Sequence, residues 1–170
     1  IRDRNNSNPA TTVNKMCGSG MKAVMLGIDQ IASGDIKTVV AGGMESMTNS
    51  PYLIQNARSG QRFGHGKLID SMIHDGLWDV YNDKHMGNCA EMLAAERNFT
   101  RQLQDDYAID SYKQSLSAIK NKIFNTEIVP VEVNQRQGNS IFVVDDEEPG
   151  RVNFDKITKL RPAFASDGTI

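Results

Sequence analysis

The spacing of apolar positions changes along the chain, and the changes predict its elements. Residues 11–15 (TTVNK) are short and β-branched, which predicts a strand. In residues 17–33, Met21, Val24, Met25, Ile28 and Ile31 recur at helical spacing. Gly34 follows, the residue type that accepts a left-handed position after a helix end. Residues 36–42 (IKTVVAG) are a continuous apolar run, the pattern of a strand covered on both faces. Strand, helix and strand over about thirty residues predict a βαβ unit.

After Gly43 the pattern loosens. Residues 46–66 are rich in Ser, Asn, Gly and Pro and predict a loop with room for a short hairpin. Leu68, Met72, Ile73 and Leu77 fall near helical spacing, so residues 67–78 predict a helix. Residues 86–98 carry Met92, Leu93, Ala94 and Ala95 in a helix-forming context. Thr100 is a suitable N-cap for a long helix reaching about residue 122, with Leu103, Tyr107, Tyr112, Leu116, Ile119 and Ile123 as its apolar face. Residues 128–133 and 140–144 predict strands joined by a turn at 136–139, and residues 145–150 an acidic exposed loop.

Composition narrows the function classes. The chain has 170 residues, 39% of them hydrophobic and 24% charged, enough apolar material for a packed core. Its net charge of -2 lacks the basic excess of a dedicated nucleic-acid binder. The longest apolar run, residues 38–43, is strand-sized, so no membrane span is expected. Two cysteines, Cys17 and Cys89, make no disulfide framework, which predicts a reduced, cytoplasmic setting. The chain starts at Ile1 rather than Met and ends on a turn that leads toward a strand. This reads as a piece of a longer protein, and an organelle address stays open.

The segment Val13-Asn14-Lys15-Met16-Cys17-Gly18-Ser19-Gly20 carries the most chemistry. Cys17 is expected where a strand ends and a helix begins. The first N–H groups of a helix lack intrahelical partners and carry partial positive charge, so a thiolate there is stabilised. Gly18 and Gly20 leave space for an acyl group to approach the sulfur and for its oxygen to approach backbone N–H groups. A small buried cysteine in a tight turn is the plain alternative. A bound phosphate has less support, because neither G-x-G-x-x-G nor G-x-x-x-x-G-K is present.

Asn14-Lys15-Met16-Cys17-Gly18-Ser19-Gly20, followed one long helix later by Val39-Val40-Ala41-Gly42-Gly43-Met44-Glu45-Ser46-Met47, resembles the thiolase family. His85-Met86-Gly87 with Ala90-Glu91, then Phe124, Glu127-Ile128-Val129-Pro130 and Lys159-Leu160-Arg161-Pro162-Ala163-Phe164, match the family in order. The resemblance implies an α/β, thiolase-like fold, present in part. Residues 1–46 would be the end of the first part of the N-terminal domain, and residues 47–170 the inserted α+β loop domain that covers coenzyme A. It implies a reversible Claisen condensation of acetyl-CoA through an acyl-cysteine, with Cys17 as nucleophile.

The same resemblance assigns Leu77, His85, Met86, Arg151 and Phe164 to coenzyme A and its acyl arm. Gly150 is the alternative occupant of the Arg151 column, and Phe164 has a plain alternative as a packing residue. Coenzyme A and acetyl-CoA enter as substrates, with no tightly bound cofactor and no metal. His85 and Cys89 are spaced as a metal pair, yet two ligands are too few for a closed zinc site. Residues 50–66, with Arg58, Arg62 and His65, resemble the family's tetramer-contact loop, so a homo-oligomer, dimer or tetramer, is implied. The family's base cysteine, histidine and oxyanion asparagine have no counterpart, since no Gly-His-Pro or Cys-x-Gly-Gly occurs. The isolated chain is therefore expected to be inactive. The alternatives are a thiolase for longer 3-ketoacyl chains and a non-catalytic acyl-CoA-binding or assembly module.

Overall fold

A computed structural model describes residues 8–170. The chain divides into two compact units, Ile1–His85 and Met86–Ile170.

The first unit opens with helix α1, Ser19–Ala32, whose one buried residue is Gly27. Strands β1 (Tyr52–Ile54) and β2 (Leu68–Asp70) pair antiparallel, with Leu53 opposite Ile69. A π-helical turn, Met72–Gly76, leads to strand β3 (Trp78–Asp79), which pairs antiparallel with β4 (Lys84–His85). The second unit holds helices α2 (Met86–Arg97) and α3 (Arg101–Lys120) and the hairpin β5 (Val131–Val133) with β6 (Ile141–Val143). Two short helices follow, α4 (Glu147–Gly150) and α5 (Phe154–Ile157).

Four expectations are corrected. Residues 11–15 and 36–42 flank α1 but form no strand, and Val40 is 98% exposed. A strand exists only where its N–H and C=O groups find a ladder partner, and among the described residues these segments have none beyond an isolated bridge between Lys15 and Cys17. One close approach does remain: a side chain at Gly27 would meet Val39 Cγ1 at 2.8 Å, so the missing Cβ lets residue 39 lie against α1. Residues 67–78 are not a helix, because Tyr52–Ile54 recruits Leu68–Asp70 into a ladder. Asp70 then turns the chain by accepting from the Met72 N–H at 2.8 Å. The acidic loop at 145–150 closes into α4, with Asp146 Oδ1 accepting from the Glu148 N–H at 3.2 Å. On α3 the packed stripe runs through Arg101, Asp105, Ala108, Tyr112 and Ser115, while Leu103 and Tyr107 of the expected face are exposed.

Asp105, 7% exposed, is tied to Arg101 Nε at 2.8 Å, and Arg101 also donates to the Ile157 carbonyl at 3.2 Å. These bonds couple the start of α3 to α5, next to the buried Ile157. Thr100 caps α3 as its sequence predicts, its Oγ1 accepting from the Leu103 N–H at 3.2 Å.

Helices α1, α2 and α3 end in the same motif. The C′ residues Gly34, Asn98 and Lys122 have φ of 83°, 55° and 55°. Their N–H groups donate to the carbonyls of Ile31, Ala95 and Ile119. The next residues, Asp35, Phe99 and Ile123, reach back to Gln30, Ala94 and Ala118. This is the Schellman arrangement, which satisfies carbonyls left over at a helix end. A lysine in that conformation is strained where a glycine is not. Lys122→Gly is therefore expected to stabilise the second unit, and Gly34→Ala to destabilise the first, each by about 1 kcal/mol. Urea midpoints of the two variants measure this, and a loss of stability in Lys122→Gly would contradict it.

Candidate active site

Cys17 is exposed and stands immediately before Gly18, the N-cap of α1. The expected position at a helix start is therefore observed, although a turn rather than a strand delivers the chain to it. Met16 has φ 49°, an uncommon conformation for a methionine. Neighbouring polar groups hold it. The Met16 N–H donates to Asn14 Oδ1 at 3.1 Å, and Ser19 Oγ donates to the Met16 carbonyl at 2.9 Å. The Lys15 N–H donates to Ser19 Oγ at 2.9 Å, and the Gly18 N–H to the Lys15 carbonyl at 3.0 Å. Asn14 and Ser19 thus fix the turn that presents Cys17. Space beside Gly20 is open, with nothing within 4 Å of where a Cβ would stand, while a Cβ on Gly18 would meet the Lys15 carbonyl at an ordinary 3.5 Å.

The β3–β4 hairpin brings Leu77 and His85 close in register, since Trp78, next to Leu77, pairs with His85. Both are half-buried. Leu77 is held at the end of the π-turn by its N–H bond to the Ile73 carbonyl at 3.0 Å. Trp78 Nε1 donates to Asp83 Oδ1 at 3.0 Å across the hairpin.

Met86 and Phe164 are associated within the second unit. Met86 opens α2 and is 48% exposed. The Phe164 ring lies directly over Gly87, where any side chain would collide with it. Asn88 Nδ2 donates to the Phe164 carbonyl at 3.1 Å. Glu91 accepts from the N–H groups of Thr169, at 2.8 and 2.9 Å, and Ile170, at 2.7 Å. Those bonds, first Thr169 and then Ile170, hold the Glu91 carboxyl below its ordinary 4.5 against a smaller opposing effect of burial.

Arg151 lies apart from this cluster, at the end of α4. Its Nη2 meets Glu147 Oε2 at 2.6 Å, with both side chains exposed. Nearby, the Tyr112 hydroxyl donates to Glu148 at 2.8 Å, which raises the phenol above its ordinary 10. Two surface clefts of the second unit flank the end of α3. One, about 460 Å³, is lined by Lys113, Gln114, Ser117, Ala118, Ile123 and Phe124, and the other, about 210 Å³, shares Ala118 and Phe124. Neither is lined by Met86, Arg151 or Phe164. No cluster of three or more metal-ligating side chains occurs among the described residues. No helix among them is long and apolar enough to cross a membrane.

The chain belongs to the thiolase family: the profile described as thiolase, N-terminal domain, matches residues 3–170. It is 51% identical over 164 residues to acetyl-CoA acetyltransferase 2 of Arabidopsis thaliana, a match over 96% of this chain and 41% of that relative. A probable acetyl-CoA acetyltransferase of Dictyostelium discoideum is 49% identical over 160 residues, 94% of this chain and 39% of the relative. Among solved structures, the Acat5 thiolase of Ascaris suum in complex with coenzyme A has a TM-score of 0.87 at 39% identity, over 97% of this chain and 41% of that one. The chain thus spans about two fifths of the length of these relatives, and its fold is part of a thiolase fold.

Glu91 also makes the cluster sensitive to acid. A carboxyl held below its ordinary value stabilises at any pH above that value, and the contribution is lost as pH falls through the lowered one. Protection of the Thr169 and Ile170 amides from hydrogen exchange, corrected for intrinsic rates, is expected to persist from neutral pH to about 4.5 and to fall below it. Protection that does not change on acidification would contradict this.

Proposed function

We propose that this chain is the nucleophile-bearing part of an acetyl-CoA C-acetyltransferase subunit. Residues 1–46 contribute the end of the first part of the N-terminal domain, and residues 47–170 the inserted loop domain over coenzyme A. The observation that carries the reading is the exposed Cys17 at the glycine-flanked start of α1.

The chemistry follows from the residue types. The Cys17 thiolate attacks the thioester carbonyl of one acetyl-CoA. The tetrahedral oxyanion collapses, the C–S bond to coenzyme A breaks, and the coenzyme leaves as a thiolate that takes up a proton. Helix-start N–H groups suit the developing oxyanion. A second acetyl-CoA loses an alpha proton to a base outside this chain. Its carbanion attacks the acetyl-cysteine carbonyl, forming the new C–C bond and releasing Cys17 as thiolate. Thioester sulfur is a good leaving group in both directions, so the reaction reverses with CoA as the attacking thiol.

Leu77, His85 and Met86 line the acyl and pantetheine end in this reading, and Phe164 covers the arm. Arg151 takes the adenine end. Its exposed pairing with Glu147 is a weak, salt-screened contact that a phosphate can replace. The parent enzyme is a cytoplasmic homo-oligomer. The isolated chain, which lacks the base, is inactive.

Thiolytic cleavage of acetoacetyl-CoA with free CoA tests the proposal. The isolated chain is expected to match its Cys17→Ala variant. In a complete subunit carrying these residues, Cys17→Ala is expected to lower kcat on the order of 10⁴-fold. A Cys17→Ala subunit with near-normal turnover would sink the assignment.

A further inference from the structure

Residues 163–170 form a closed return segment. The Ala163 N–H donates to the Ile170 carbonyl at 2.7 Å, and the Gly168 N–H to the Ala165 carbonyl at 3.1 Å. Helices α2 and α3 grip this segment through three side chains. Asn88 donates to the Phe164 carbonyl, Gln104 Nε2 donates to Thr169 Oγ1 at 2.9 Å, and Glu91 accepts from the Thr169 and Ile170 N–H groups. Glu91 lies four residues after Gly87 and so shares its face of α2. A Cβ at Gly168 would collide with the Glu91 carboxylate, so the segment approaches that group as closely as its backbone allows. The grip at Glu91 and the ring seated over Gly87 are two ends of one hydrogen-bonded segment.

We infer that Glu91 is a positioning residue, which clamps the Thr169 and Ile170 N–H groups and thereby sets Phe164 against the first turn of α2, beside Met86. The inference rests on the proposed function, in which Phe164 and Met86 flank the pantetheine arm. Glu91 itself touches no substrate in this account. The side-chain type is specific: one carboxylate offers two acceptor oxygens to two successive N–H donors. A glutamine in its place would offer one oxygen and turn an NH₂ group toward a donor. An aspartate would keep the charge but fall one methylene short.

The test compares Glu91→Gln, the milder Glu91→Asp and Phe164→Ala. Amide hydrogen exchange is followed at Thr169 and Ile170 in the full chain. KM for CoA and kcat for acetoacetyl-CoA cleavage are measured in the complete subunit. In Glu91→Gln the two amides are expected to exchange about tenfold faster. KM for CoA is expected to rise about five- to tenfold with kcat changed less than about twofold, the split of a lost binding contact. Glu91→Asp gives a smaller shift in the same direction. Unchanged exchange overturns the clamp. Faster exchange with normal KM, while Phe164→Ala raises KM, overturns the positioning role, as does a loss confined to kcat. If neither Glu91→Gln nor Phe164→Ala moves KM, the inference falls together with the assignment of Phe164 to the pantetheine arm.

Discussion

Two backbone N–H groups, those of Thr169 and Ile170, find their acceptor in a carboxylate that stands 78 and 79 residues earlier in the chain. Partly buried N–H groups without a partner carry a desolvation cost, and here no strand or helix supplies one. Glu91 meets both needs at once. Its ionised form is favoured by the same bonds, so the charge and the backbone stabilise each other. Three further contacts gather around it: Asn88 on the Phe164 carbonyl, Gln104 on the Thr169 hydroxyl and the Phe164 ring on Gly87. The first turns of α2 and α3 thereby share one return segment.

In the first unit a turn leads the chain into α1. Met16 turns the chain through a left-handed conformation, and the side chains of Asn14 and Ser19 hold that turn. Strained residues persist where their surroundings over-determine them, and such places are often reactive sites. Cys17 follows directly, exposed, with the helix start ahead of it and the open space of Gly20 nearby. Neighbouring apolar side chains are not covered. Met21, Met25 and Ile28 on α1, and Val40 after it, are exposed.

The features legible in the sequence are those set by nearby residues. The extent of α2 and α3, the Thr100 cap, Gly34 at a helix end and the β5–β6 hairpin all depend on contacts within a few positions. So does the place of Cys17 at the head of α1. Misjudged elements depended on distant or missing partners. Residues 36–42 have the composition of a buried strand, but a ladder needs a neighbour. Leu68–Asp70 pairs with Tyr52–Ile54, which overrode the helical spacing around it. The lock at Glu91 was invisible as such, because nothing near Glu91 announces a donor pair so far along the chain. Asn14 carried a weaker, local signal, an Asx-type side chain just ahead of a helix start. The match of several motifs in order, rather than any spacing rule, pointed to the family, and the profile over residues 3–170 bears it out.

Acid quenching of the complete subunit during turnover of acetyl-CoA, followed by peptide mapping, tests the central claim most directly. The account requires a single thioester-linked acetyl group, sensitive to hydroxylamine, on the peptide containing Cys17. An acetyl group on the Cys89 peptide instead, or turnover with no covalent acetyl group at any point, would contradict it.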